Sequence, residues 1–180
     1  MANQPLSGSC ACGANTFEVT TAPTQRFVCH CLYCQNFVGQ SYTDVVMMIN
    51  KDVTLHEQNA TYDNPHILPA GFAKAHGLEP RLGNPDKGRF ARCANLDRAT
   101  CNTCGEPFAE KFANMVFIPA KNFRSGELPE IGHHIYERFH TDAPDDTSPR
   151  HHRFLSSQTA ILQMAAAALL NSRSPRSTAP

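Results

Sequence analysis

Short stretches in which apolar and polar residues alternate occur through most of the chain, as in strands that bury one face. Between Asn15 and Val19, for example, Phe17 and Val19 alternate with polar neighbours. Other short stretches, rich in β-branched or bulky residues, predict further strands at residues 42–49, 53–57 and 115–118. Helical periodicity is scarce before the C-terminal part of the chain. The pattern therefore predicts a fold built mainly from short strands.

Two segments depart from this pattern. Residues 63–88 are interrupted by repeated prolines and glycines, which predict a long loop, either a lid over a site or a surface insertion. Residues 156–170 contain good helix formers after a plausible cap at Ser156 or Ser157, and residues 171–180 are typical of a disordered tail. We therefore expect one domain over residues 1–155 and a short C-terminal helix with its tail over residues 156–180. That helix could cover an apolar patch, mediate self-association into a homo-oligomer, or simply fray.

Charge and hydropathy restrict the partners of the chain. Among its 180 residues, 16 basic and 16 acidic side chains balance, so there is no broad positive field to attract nucleic acid or an anionic membrane. No uncharged apolar stretch approaches the about 20 residues that span a bilayer, and the N-terminus does not resemble a secretory signal. We expect a cytoplasmic protein whose partner is a small molecule.

Eight cysteines dominate the candidate chemistry. In a reducing compartment, closely spaced cysteines favour a metal site over disulfides. Cys10 and Cys12 form a C-x-C motif followed by Gly13, and Cys101 and Cys104 form a C-x-x-C motif followed by a second glycine. The glycines allow the tight turns of zinc knuckles, and four thiolates would close the coordination sphere. These four cysteines are the predicted ligands of a structural zinc ion.

Cys29, Cys31 and Cys34 form a second motif, C-x-C-x-x-C. Alternation on an extended chain points the first two the same way, and a turn brings the third to the same ion. Three protein ligands leave one position open, as at catalytic zinc sites. Three thiolates make the ion a modest Lewis acid, better suited to holding a soft thiolate substrate than to ionising water. The trio is therefore the predicted catalytic zinc site.

Other side chains near this second motif have several possible roles. Cys93, or a histidine such as His134 or His140, could instead complete the tetrahedron and make the second zinc structural too. His30 lies between two ligands, so it should face away from the metal as a packing or supporting residue. The remaining histidines of interest are predicted to be solvated, namely His133, His151 and His152.

In order and spacing, the motifs SGSCACGANTFEV, CHCLYCQ and CNTCGEPF resemble the glutathione-dependent formaldehyde-activating enzyme family, which includes centromere-protein-V-like proteins. The resemblance covers residues 6–123, and residues 134–138 are similar to a later segment. It implies a zinc-binding β-tent fold of small antiparallel sheets, with the structural and catalytic zinc sites on the cysteines named above. Two departures are Gln35, where the family commonly has a basic residue, and the length of the 63–88 loop.

The implied activity is that of a carbon-sulfur lyase that joins glutathione to formaldehyde as S-hydroxymethylglutathione, or runs the reverse. The zinc would bind the substrate thiol and lower its pKa. Tyr33 or His30 could move the proton. Basic side chains on or beside the long loop could bind the carboxylates of glutathione, namely Lys74, Arg81, Lys87 and Arg89.

Two other functions fit the same residues. A zinc lyase or hydrolase could act on a specialised metabolite without a thiol, in which case turnover would need no added thiol. Alternatively, the chain could be a zinc-scaffolded binding module without catalysis, in which case the second metal would have four protein ligands.

Overall fold

A computed structural model describes residues 6–63, 96–139 and 142–173. Lys74, Arg81, Lys87, Arg89, Cys93 and His140 lie outside these residues, as does almost all of the predicted 63–88 loop. The described strands are β1 Ser7–Ser9, β2 Thr16–Val19, β3 Gln25–Cys29, β4 Thr43–Ile49, β5 Val53–His56, β6 Ala60–Asp63, β7 Asp97–Cys101, β8 Pro107–Phe112, β9 Met115–Pro119, β10 Phe123–Ser125, β11 His133–Ile135 and β12 Arg150–His151. The described α-helices are α1 Leu32–Val38 and α2 Phe154–Arg173.

The strands form two sheets. The smaller has the order β10-β1-β2-β5 and is antiparallel throughout. The larger has the order β12-β11-β3-β4-β9-β8-β7-β6, and its β12-β11 and β11-β3 pairs are parallel. The predicted fold class, mainly β with small sheets and a C-terminal helix, is confirmed. The implied antiparallel pairing is wrong for the β12-β11 and β11-β3 pairs, which are parallel.

All four predicted strands are present, as β2, β4, β5 and β9. The helix α1 was not predicted, because residues 32 and 33 were expected only to turn. A helix forms there because the thiol of Cys31 accepts a hydrogen bond from the Cys34 backbone N–H at 3.4 Å, which caps the first turn. The helix ends at Gly39, whose N–H donates to the Gln35 carbonyl.

Strand β4 separates two hydrophobic cores. Its residues Val46 and Met48 pack with Phe17 and Phe108 in a first core, which also includes Cys10, Cys101 and, at its edge, Cys104. On the other face of β4, a second core contains Val45, Met47, Ile49, Phe27 and Ile135 together with Cys29, Cys31 and Cys34. Because successive side chains of a strand point to opposite faces, the buried residues 45–49 of this one strand contribute to both cores. Each core contains one of the predicted metal sites.

The C-terminal helix α2 packs against the second core through Ala160, Met164 and Ala168. The predicted boundaries were wrong, since the helix begins at Phe154 and continues to Arg173. Ser157 is not a cap, because its hydroxyl lies within the helix and accepts a hydrogen bond from the Tyr136 N–H at 2.8 Å. At the other end, Lys51 Nζ donates to the Ser172 carbonyl at 2.7 Å and so satisfies a group of the last turn. This packing agrees with one of the three expectations for the helix, namely that it covers an apolar patch.

Candidate metal centres

Two matching turns form the four-cysteine cluster of Cys10, Cys12, Cys101 and Cys104. In the first, the N–H of Gly13 donates to the Cys10 carbonyl at 3.0 Å, and in the second the N–H of Gly105 donates to the Cys101 carbonyl at 2.9 Å. Both glycines have positive φ, 77° and 70°, a conformation that a side chain disfavours. The glycine after each cysteine pair therefore serves the purpose that the sequence indicated.

The sulfur positions of this cluster fit a tetrahedral metal ion. Its four Sγ atoms lie within 4.8 Å of one another. The Cys10–Cys12 and Cys12–Cys101 pairs are separated by 3.6 and 3.7 Å, close to the about 3.8 Å edge of a tetrahedron with metal-sulfur bonds of about 2.3 Å. The four cysteines are free thiols. Four sulfurs so placed could hold one ion and leave it no open position.

A backbone hydrogen bond favours the thiolate form of one cysteine in this cluster. The Asn15 N–H donates to Cys10 Sγ at 3.4 Å. Burial raises the pKa of Cys10, but this hydrogen bond and the thiols of Cys101, Cys12 and Cys104 outweigh it and lower the pKa to about 6. The Asn15 side chain also joins the turn to residue 59, donating to the Asn59 carbonyl and accepting from its N–H, both at 3.1 Å. Asn15 thus fixes the turn and favours the thiolate that a metal requires.

The three-cysteine cluster of Cys29, Cys31 and Cys34 lies where β3 ends and α1 begins. Its three Sγ atoms lie within 4.8 Å of one another. They belong to the last residue of β3, the residue that caps α1, and the first turn of α1. Among the described residues, no fourth cysteine, histidine or carboxylate lies within the same distance. The cluster could therefore hold an ion with three protein ligands.

The three-cysteine cluster is the more buried of the two. Cys29, Cys31 and Cys34 are 4%, 7% and 7% exposed, whereas Cys12 of the other cluster is exposed. Contacts with the other two thiols and burial raise the pKa of Cys29 far above its usual value. For Cys34, a hydrogen bond with Cys29 lowers the pKa, but the contact with Cys31 and burial prevail and raise it to about 12. Burial and mutual contact therefore favour the protonated form of Cys29 and Cys34.

A buried ion pair supplies a cation that sequence reasoning missed. Arg98 on β7 and Glu110 on β8 are register partners, and Arg98 Nε lies 3.0 Å from Glu110 Oε2. Both side chains are only 3% exposed. The Arg98 guanidinium also acts on Cys34, where its charge opposes the rise of the thiol pKa. No motif marked these residues, because they lie more than 60 positions from Cys34 and only the sheet brings them together.

Gln35 and His134 have positions that the sequence could not settle. Gln35 is buried, and its Nε2 donates to the carbonyls of His30 at 2.7 Å and Phe139 at 3.0 Å. Its amide thus ties α1 to the strand end. His134 is not a ligand of the three-cysteine cluster, since both its ring nitrogens have other partners: Nδ1 lies 3.2 Å from His30 Nε2, and Nε2 lies 3.0 Å from Asp146 Oδ2.

The other histidines considered in the sequence differ in burial. His30 is completely buried, as a packing or supporting residue should be. His133 and His151 are half-buried rather than solvated, because their rings face each other with Nδ1 and Nε2 3.1 Å apart. His152 is exposed and pairs with Glu137 at 2.9 Å. Cys93 and His140, the other possible fourth ligands, lie outside the described residues.

The fold and the two clusters define a class: a mainly β protein with two groups of cysteines that could each hold a metal ion. Comparison with family profiles matches residues 5–75 to the family described as glutathione-dependent formaldehyde-activating enzyme. The match includes the whole three-cysteine cluster and the first half of the four-cysteine cluster, and over these residues it supports the family resemblance seen in the cysteine motifs.

The chain was also compared with curated proteins and with solved structures. No curated protein matches the chain. The crystal structure of a Rhodobacter sphaeroides protein, a structural genomics target, has a TM-score of 0.42 and 15% sequence identity, covering 68% of this chain and 97% of that one. Within the described residues, no helix has both the length and the apolar character required to cross a membrane.

Proposed function

We propose that the chain is a zinc-dependent carbon-sulfur lyase of the glutathione-dependent formaldehyde-activating type, acting on a small thiol adduct such as S-hydroxymethylglutathione. The observation that carries the proposal is the convergence of three buried thiols with no fourth ligand among the described residues. A trio of this kind leaves a coordination position for a substrate. The family match over residues 5–75 supports the choice of glutathione and formaldehyde.

In this proposal the three cysteines hold the zinc, and the protein surrounds it with apolar side chains. Zinc bound there would supply a Lewis acid that takes up the substrate thiol as a thiolate. Met47, Ile135 and Met164 belong to the same core as the cysteines, so water is scarce and charge interactions are strong. In such a setting a thiolate can be held next to a carbonyl carbon without competing hydration.

Arg98 has an electrostatic role in the proposed site. Three thiolates holding one divalent ion would carry a net charge of −1, and a substrate thiolate bound beside them would make it −2. A fully buried guanidinium next to Cys34 lowers the free energy of this anionic arrangement. Glu110 also pairs with this guanidinium, its Oε2 lying 3.0 Å from Arg98 Nε. We therefore assign Arg98 as a positioning residue that acts through Cys34.

The reaction requires one proton to move. When glutathione adds to formaldehyde, the carbon-sulfur bond forms, the thiol loses its proton, and the carbonyl oxygen gains one. Tyr33, on the first turn of α1, is half-buried and packs against the core that contains the cysteines. His30 Nε2, by contrast, is directed to His134. We therefore propose the Tyr33 hydroxyl as the group that carries the proton.

The test is metal stoichiometry together with turnover of formaldehyde, with and without glutathione. We expect two zinc ions per chain and turnover that requires the thiol. Cys34→Ser should keep the fold, contain one zinc ion and have no activity. Turnover by this variant would refute the catalytic assignment, and equal turnover without any thiol would favour a nonthiol substrate.

A further inference from the structure

A chain of three hydrogen-bonded side chains starts at His30, between the first two ligands of the three-cysteine cluster. His30 and His134 are completely buried, and Asp146 is 25% exposed. His30 Nε2 lies 3.2 Å from His134 Nδ1, and His134 Nε2 lies 3.1 and 3.0 Å from the two Asp146 oxygens. The planes of the two imidazole rings are 19° apart, and their centroids are 5.5 Å apart. We call these three residues the histidine array.

The partners of Asp146 fix the direction of the hydrogen bond between Asp146 and His134. Its carboxylate accepts from the Ser148 N–H at 2.8 Å. Burial raises the pKa of Asp146, but the Ser148 and His134 hydrogen bonds outweigh it and lower the pKa to about 2. The carboxylate is therefore an acceptor, and His134 Nε2 donates to it. The two rings share one hydrogen bond, between His134 Nδ1 and His30 Nε2.

Every polar group of the His30 backbone is also engaged. Its N–H donates to the Ile135 carbonyl at 3.0 Å, and its carbonyl accepts from Gln35 Nε2 at 2.7 Å. His30 lies between Cys29 and Cys31, so its ring and backbone together determine how both thiols are presented. The array extends this restraint through β11 to residues 146–148, where the Ser148 hydroxyl donates to the Ile131 carbonyl at 2.5 Å.

From this geometry we infer that the histidine array is a positioning device for the metal at the three-cysteine cluster. It holds the Cys29–Cys31 segment in the conformation that the ion requires and so determines the affinity of that site. The four-cysteine cluster lies in the other core, so its affinity should not depend on the array. The inference rests on the proposed metal site but not on the lyase reaction.

The experiment measures zinc affinity of the full chain by competition with a chromophoric chelator, which resolves the two sites. Cys34→Ser identifies the binding step of the three-cysteine site. His134→Leu removes both hydrogen bonds of the central ring and should weaken this site roughly 10- to 100-fold, the usual effect of losing a group that orients a ligand. Asp146→Asn should weaken zinc binding at this site to a smaller extent. Asp146→Glu, which retains a carboxylate, should bind zinc there as tightly as the wild type.

The matched control is His133→Leu, since His133 is the neighbouring residue on β11 but pairs with His151 outside the array. It should leave both affinities unchanged. If His134→Leu does not fold, the partly exposed Asp146 supplies the decisive variant. Wild-type affinity in the array variants, or equal weakening of both sites, would overturn the inference. A wild-type chain that binds a single zinc ion would instead refute the metal site of the proposed function.

Discussion

The two cysteine clusters use the same ligand type in opposite settings. The four-cysteine cluster is partly exposed and is built from two glycine turns whose hydrogen bonds come mainly from their own backbone. The three-cysteine cluster is buried and depends on side chains from distant elements: Arg98 on β7, His134 on β11 and Met164 on α2. The first resembles a clip that joins two turns, whereas the second is enclosed by the fold. Metal binding should therefore support the fold at the first and depend on it at the second.

The largest expected difference is between Cys101→Ser and Cys34→Ser. Cys101 joins β7 to the first turn, so its loss should release a structural metal that contributes most of its binding energy to folding, in other proteins about 10–16 kcal/mol. We expect Cys101→Ser to aggregate or unfold without cooperativity in thermal scans. Cys34→Ser should unfold cooperatively with one metal ion fewer. The reverse order of stabilities would show that the structural role belongs to the three-cysteine cluster.

Arg98→Met should have the next largest effect. It leaves the Glu110 carboxylate buried and unpaired, which costs about 3–5 kcal/mol in the free energy of unfolding. The double variant Arg98→Met with Glu110→Leu removes both charges and should recover most of that loss. Denaturant titration measures both effects.

The same double variant separates fold from metal binding. If Arg98 compensates the charge of the three thiolates, the variant should regain its stability yet bind metal weakly at the three-cysteine cluster alone. Full recovery of both properties would mean that the ion pair serves only the fold.

Met164→Ala tests whether α2 encloses the three-cysteine cluster. Met164 is 1% exposed in the core that contains these cysteines, so its truncation should cost about 2–5 kcal/mol in chemical unfolding. Leu162 on the same helix is exposed, and Leu162→Ala should change stability by less than about 0.5 kcal/mol. Equal effects of the two substitutions would mean that the helix is not anchored as the structure describes.

Sequence reasoning succeeded where structure is encoded locally. The glycines after each cysteine pair, the short strands and the trio near residue 30 could all be recognised because each depends on residues close in the chain. The helix α1 was missed because its cap is a thiol, which is not among the usual capping residues. Arg98, Glu110 and Asp146 could not be found, and the contact between His30 and His134 could not be foreseen, since strand pairing brings residues together from distant positions.

Gln35→Leu has the smallest expected effect and sharpens the contrast most directly. The substitution removes the donor shared by the His30 and Phe139 carbonyls, and leaving buried acceptors unsatisfied costs about 1–3 kcal/mol. The control Gln25→Leu changes a glutamine whose side-chain hydrogen bond is exposed, so it should stay within about 0.5 kcal/mol of wild type. Denaturant titration compares the two. Because Gln35 lies between Cys34 and the His30 carbonyl that it binds, its loss should weaken metal binding at the three-cysteine cluster and leave the four-cysteine site intact. A loss of stability without any change in metal affinity would show that Gln35 stabilises α1 without controlling the geometry of the ligands.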